Sequence, residues 1–208
     1  MIYIDIHTHQ SPPNPEDIAV IAVDIRKPCM SGSERYAVGI HPWQADQTAL
    51  PLIRTLAAHP NVVAVGEVGL DKSTSATWSI QEKVFAAQIR LAGEVQKPLI
   101  IHCVKAWQEL MAIRKAVRLD IPWIIHGFRG NGMLAGQLLR AGFFLSFGLR
   151  HQAEAVRQAR EAGRLLAETD DEEIGIRDVY ASIATTLAIP EESLSQEVFV
   201  NAGKTGIL

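Results

Sequence analysis

Val62-Val63-Ala64-Val65-Gly66-Glu67 is a short, β-rich apolar run that ends in a carboxylate. A helical pattern follows over about 78–96, where Gln81, Val84, Phe85, Gln88, Ile89, Leu91 and Ala92 fall at the spacing of a helix lying on a sheet. Pro98-Leu99-Ile100-Ile101-His102-Cys103 then supplies a second apolar run, and this one ends in a histidine. Strand, helix and strand in that order make a parallel crossover unit.

Outward from this unit the alternation continues in both directions. Strands are expected near 2–7, 18–25, 35–41, 62–67, 98–103, 121–126, 143–147 and 164–169. Helical patterns lie at about 45–58, 78–96, 105–117, 131–141, 150–162 and 173–187, with a last one near 191–202 opened by Pro190. Eight strands alternating with helices predict the α/β class and a TIM-like (β/α)8 barrel, formed as a single domain over residues 1–208. The length is near the lower limit for such a barrel, and the shortage has an address. Gln10 to Asp17, with prolines at 12, 13 and 15, and Arg26 to Glu34 are too short for a helix plus two turns. The barrel is therefore expected to be distorted, with outer helices missing around strands 1 to 3. Ile18-Ala19-Val20-Ile21-Ala22-Val23 is apolar on both faces and needs a cover. The expected cover is the segment 191–207 or a second copy of the chain, giving a homodimer through that flank.

Composition narrows the function classes. Hydrophobic residues make up 48% of the chain and the formal charge is -3, with no long run of either sign. Nucleic-acid binding driven by an overall basic surface is thereby excluded, and only local binding aided by cations remains. Two cysteines, Cys29 and Cys103, cannot form a disulfide framework and point to a reducing, cytoplasmic setting. The N-terminal segment carries Asp5 and two histidines, unlike a signal peptide, and no run of about 18 apolar residues is present to span a membrane.

Parallel barrels place their chemistry at the C-terminal ends of the strands. Strand 1 ends in Asp5-Ile6-His7-Thr8-His9, and residues two apart on an extended chain point the same way, so His7 and His9 can grip one ion. Strand 4 ends in Glu67, strand 5 in His102, strand 6 in His126 and strand 8 in Glu168-Thr169-Asp170. His7, His9, Glu67, His102, His126 and Asp170 thus converge on one rim. They are too many for one tetrahedral zinc but suit two divalent ions, Zn, Mg or Mn, with Glu67 bridging. Asp170 is the expected proton acceptor for an activated water, and Glu67 is the second catalytic carboxylate.

The phrases Ile4-Asp5-Ile6-His7-Thr8-His9, Val38-Gly39-Ile40-His41-Pro42, Gly66-Glu67-Val68-Gly69-Leu70-Asp71, Lys97 to His102, His126-Gly127-Phe128-Arg129-Gly130 and Leu166 to Asp170 resemble, in order, the signatures of the TatD family of metal-dependent hydrolases. Gln81, Phe85, Gln88 and Asn201 extend the likeness over nearly the whole chain. The resemblance implies a distorted barrel of the amidohydrolase superfamily, two divalent metals and deoxyribonuclease activity. It assigns His7, His9, Glu67 and Asp170 to one metal, and Glu67, His102 and His126 to the other. The chain departs from that pattern at positions that the resemblance places behind the metal ligands and against the substrate. Val104 and Lys105 stand where Arg and Asp are frequent, Arg129 where Ser is common, and Lys72 and Ser73 where an aromatic and Arg often follow.

Lys105 and Arg129, each three residues past a strand-end histidine, are expected substrate contacts that favour a phosphate, and single-stranded DNA or strand ends are the expected partner. His41 is either a third substrate contact or part of a plain turn before Pro42. Trp43 and Trp107 either line the pocket mouth or pack between helices. His59 and His151 are expected on the surface, and Cys103, one residue from His102, is expected in the core. The alternatives to a phosphodiesterase are an amidase or lactonase of a small acid, a PHP-type phosphoesterase, which also begins Asp-x-His-x-His, and a metal-stabilised scaffold.

Overall fold

A computed structural model describes residues 1–208. Its strands are β1 (Ile4–Thr8), β2 (Ile18–Ala22), β3 (Arg35–Val38), β4 (Val62–Asp71), β5 (Leu99–Val104), β6 (Trp123–Ile125), β7 (Phe144–Phe147) and β8 (Leu165–Ala167). The helices are α1 (Leu50–Ala57), α2 (Trp78–Val95), α3 (Trp107–Ala116), α4 (Gly132–Arg140), α5 (Ala153–Glu161), α6 (Ile176–Leu187) and α7 (Glu191–Thr205). Strand order in the sheet follows chain order from β1 to β8, and each pair is parallel. This is the expected barrel, with one helix after each strand from β3 to β7, two after β8 and none after β1 or β2.

Strands 2 and 3 end at Ala22 and Val38, short of the expected 25 and 41, and two further boundaries bear on the site. The expected helix over 45–58 is shortened to α1, because Asp46 caps a separate 3-10 turn and Pro51 fits only a first helical turn. β4 runs four residues beyond Glu67, to Asp71. After a register shift between Val65 and Val68 it pairs again with β5, bringing Gly69 opposite His102 and Asp71 opposite Val104. The approach is close: a Cβ on Gly69 would lie 1.9 Å from the His102 carbonyl oxygen, and the glycine has φ +144.

β1 and β8 meet by backbone only at the rim, where His9 N–H donates to Asp170 O (3.2 Å) and Asp170 N–H to His7 O (3.0 Å). Below the rim, side chains bridge the gap. The buried Tyr180 hydroxyl accepts from Ile4 N–H (3.1 Å) and donates to Ile4 O (3.2 Å). Asp5 accepts from Thr169 N–H (3.1 Å) and from its hydroxyl (2.6 Å). Burial raises the Asp5 carboxyl to about 7 even against those two bonds.

The flank of strands 1 to 3 is covered within the chain. α7 lies on β8 and β1, as expected for the C-terminal segment, and Ser195 donates to Ile2 O at 2.6 Å. The outer faces of β2 and β3 are covered by something the sequence reading did not supply. Val38, Ile40, Ile53, Ala57 and Val84 form a second apolar cluster there with Ile21, Val23, Ile25 and Met30, so α1 and the segment after β2 stand in for the missing helices. No helix is long and apolar enough to cross a membrane.

Candidate metal centre

The barrel brings the rim residues together around Glu67. Its Oε1 lies 2.7 Å from His126 Nε2, 2.9 Å from His102 Nδ1 and 3.0 Å from His41 Nε2. Its Oε2 is 3.4 Å from His7 Nε2. Asp170 stands beyond His7, with Oδ1 3.6 Å from both His7 Nε2 and His9 Nε2. Asp170 adopts φ 57, a left-handed conformation that aspartate tolerates better than most residues, and its two rim hydrogen bonds to β1 hold it there.

Hydrogen-bond partners decide which ring nitrogens are free to ligate. His41 Nδ1 accepts from Trp43 N–H at 3.1 Å, so the neutral ring carries its hydrogen on Nε2 and donates to Glu67. His41 therefore sits inside the cluster as a donor that steadies the carboxylate. His102 Nε2 is 3.0 Å from Asp71 Oδ2, which fixes the hydrogen there and turns the Nδ1 lone pair towards Glu67. His126 is set the other way, with Nδ1 3.4 Å from Glu168 Oε1 and Nε2 towards Glu67. Glu168 in turn accepts from Gly127 N–H at 2.5 Å. Asp71 and Glu168 were missed as partners because each belongs to a different strand from the histidine it touches. The Leu70-Asp71 and Glu168-Thr169-Asp170 phrases were the only signal, and it did not separate support from ligation.

Charge in the cluster follows from burial and crowding. Burial opposes charge on His7, as does His126, yet the Asp170 and Glu67 carboxylates, 3.6 and 3.4 Å from its Nε2, raise its pKa to about 9. His126 is likewise held well above the usual imidazole range, because Glu67 and Glu168 outweigh its burial. Burial works against an ionised Glu67, but His126, His102 and His41 hold it well below the carboxylate range. Asp170 is lowered despite its burial by His7 and His126, and His9 is lowered by burial and by His7.

These donors fit a divalent cation. His7 is fully buried, and neither of its ring nitrogens has a hydrogen-bond partner. An unpaired buried polar atom costs about 1–3 kcal/mol, and a cation between the imidazoles and Glu67 would satisfy the inward-facing lone pairs. His7, Glu67 and His126 form one group of mutually close donor atoms, and His7, His9 and Asp170 form another.

Around the cluster opens a pocket of about 880 Å³, lined among others by Trp43, Trp107, Lys105 and Arg129. Both expected cations are thus at the site. His59 is exposed, as expected, and Cys103 is in the core, where burial pushes its thiol up to about 12. His151 departs from the surface expectation: half-buried, it bridges Gly148 O and Thr186 Oγ1 at 2.9 Å each and ties β7 to α6.

Residues 27–205 match the profile of the family described as TatD related DNase. The chain belongs to the TatD family. The matched stretch contains Glu67, His102, His126 and Asp170, and lies after His7 and His9. Among its relatives, "Uncharacterized metal-dependent hydrolase YabD" of Bacillus subtilis is 37% identical over 145 residues, covering 64% of this chain and 57% of that one. The "3'-5' ssDNA/RNA exonuclease TatD" of Musicola paradisiaca is 36% identical over 157 residues, covering 68% of this chain and 58% of that one. The match to these TatD relatives therefore spans less than two thirds of their length. The crystal structure of YJJV, a TatD homolog from Escherichia coli, superposes with a TM-score of 0.78 at 19% identity, over 99% of this chain and 98% of that one, and shows the same fold.

Proposed function

We propose that this chain is a divalent-metal-dependent phosphodiesterase acting on single strands or strand ends of nucleic acid. The observation that carries the reading is one carboxylate, Glu67, ringed by His7, His41, His102 and His126, with Asp170 on its far side. His7, His9, Glu67 and Asp170 would hold one ion and Glu67, His102 and His126 a second, Zn, Mg or Mn. Ions held there would lower the pKa of a bound water and offset charge developing on the substrate. Asp170, ionised and half-buried beside His7 and His9, accepts the proton of the attacking water. His41 donates to Glu67 and keeps it oriented, Asp71 holds His102 through Nε2, and Glu168 faces His126 Nδ1 at 3.4 Å, so the two rings turn opposite nitrogens to Glu67. Lys105 and Arg129, neither of them in an ion pair, supply charge for the phosphate at the pocket wall. The exonuclease name of the Musicola relative supports the substrate class.

The test is cleavage of a short single-stranded oligonucleotide with manganese or magnesium, in wild type and Arg129→Ala. Metal-dependent cleavage, with KM raised about tenfold in the variant as one charged hydrogen bond is lost, is the expected result. With few phosphates gripped, the salt dependence should be shallow. Turnover of an amide or lactone of a small acid, with no cleavage of the oligonucleotide by well-metallated protein, would replace this reading.

A further inference from the structure

Of the chain's tryptophans, Trp43 is held in a way that packing does not require. Trp123 is fully buried, and Trp107 is half-buried with its ring edge-on to Phe128 at 6.0 Å. Trp43 is 61% exposed at the pocket mouth, within the 3-10 turn Pro42–Gln44. An indole so exposed is ordinarily free to change rotamer. This one is fixed. Its Nε1–H donates to Asp71 Oδ2 at 2.6 Å, the same oxygen that faces His102. Its ring stands edge-to-face with His41 at 4.8 Å and with His102 at 5.9 Å.

A rigid aromatic surface left open to water and set against the metal centre is pre-organised for a flat partner, because little side-chain entropy is lost when that partner docks. The chemistry nearby says which flat partner. Lys27, Lys105 and Arg129 line the same pocket without ion-pair partners, whereas Arg26 is already neutralised by a two-pronged bond to Asp24 at 2.8 Å. A ring platform beside unpaired cations suits a group that is aromatic at one end and anionic at the other, which is the make-up of a nucleotide. Small aliphatic acids and lactones have no use for the ring.

We propose that Trp43 is a base-stacking subsite, binding the nucleobase of the nucleotide whose phosphodiester is presented to Glu67 and its histidines. The proposal rests on the phosphodiesterase reading and adds to it a specificity-determining residue. Stacking on an aromatic ring is sequence-tolerant, so the subsite would select for a base being present and not for which base it is.

The experiment compares wild type, Trp43→Leu and Trp43→Phe on two oligonucleotides of equal length, one intact and one with abasic sugars at its terminal nucleotides. On the intact strand Trp43→Leu should raise KM about tenfold with kcat little changed. On the abasic strand wild type should already show that higher KM, and Trp43→Leu should add nothing to it. Trp43→Phe, which keeps a ring but loses the Asp71 bond, should recover most of the affinity for the intact strand. Metal content measured by elemental analysis should match wild type in both variants. An equal loss on both strands, a fall confined to kcat, or lost metal would mean that Trp43 acts through Asp71 and His102, and would overturn the stacking assignment. Wild type that cleaves both strands equally well overturns it too, while leaving the phosphodiesterase reading in place. Wild type that neither binds nor cleaves any strand removes that reading, and the subsite with it.

Discussion

Glu67 Oε1 has three imidazole nitrogens within 3.0 Å and Oε2 turns to a fourth, so Glu67 touches His7 of one proposed ligand set and His102 and His126 of the other. Elemental analysis of Glu67→Ala should accordingly show a greater loss of bound metal than any other single ligand change; full stoichiometry in that variant, alongside loss in His102→Ala, would refute the bridging role. Asp170→Asn should separate binding from chemistry. An amide oxygen can ligate but cannot take a proton, so much of the metal stays while kcat falls about 10²–10⁴-fold. Proton competition sets the pH dependence. His7 has its pKa raised to about 9, so the stabilisation tied to its proton is complete below about pH 6.5 and lost as pH rises through about 9. At pH 7 a metal ion must displace that proton. Affinity should rise about tenfold per pH unit for each proton displaced, and calorimetry in buffers of different ionisation enthalpy should show proton release on metal uptake. A pH-independent affinity between 6 and 8 would contradict this. The six rim donors were legible in the sequence because each ends an apolar run at the same phase of the repeat. The ring nitrogens that His41, His102 and His126 turn to Glu67 were not, since they depend on contacts outside each histidine's own strand.

At the scale of elements, the seam between β1 and β8 rests on few groups. Tyr180 on α6 stands in for a missing ladder rung by bonding both Ile4 N–H and Ile4 O. Tyr180→Phe keeps the ring and its edge-on packing against Tyr3 at 5.0 Å, but leaves two buried backbone groups unpaired. Denaturant titration should show a loss of about 1–3 kcal/mol, with Ile4 the amide that gains most in hydrogen exchange. A change below about 0.5 kcal/mol would mean that water or a shifted strand replaces the hydroxyl. Five strands and six helices, β4 to α7, were readable because helix and strand periods alternate cleanly from Val62 to Thr205. The extension of β4 to Asp71 was not, because the register shift after Val65 has no counterpart in hydrophobic pattern. Nor was the cover over β2 and β3, since 18–25 reads as one strand, whereas β2 ends at Ala22 and Val23 and Ile25 join Met30 in the apolar cluster.

For the molecule as a whole, the rim is where the barrel closes and where the donors converge. A cation bound by β1, β4, β5, β6 and residues after β8 would join strands from both ends of the chain. Manganese at about 100 times its dissociation constant should therefore stabilise the folded protein by about 2.7 kcal/mol, read as a rise in Tm that a chelator reverses. Protection against hydrogen exchange should rise most at His9 and Asp170, whose amides make the rim bonds. A uniform gain across the barrel would argue against seam closure as the source of the stabilisation.

The same seam imposes an order of events on a chain emerging from the ribosome. Asp5 must wait for Thr169, 164 residues later, before its carboxylate is satisfied, and His7 and His9 must wait as long for Asp170. Until then the N-terminal histidines stand beside an open strand edge with half a coordination sphere, and the contacts that complete them are among the longest-range in the molecule. A premature stop between His126 and β8 would leave a product that holds five of the six rim donors yet lacks Asp170, the proposed proton acceptor. On the proposed phosphodiesterase function, such truncated products are expected to be inert toward phosphodiesters, because the last of the six donors to be made is the proposed proton acceptor.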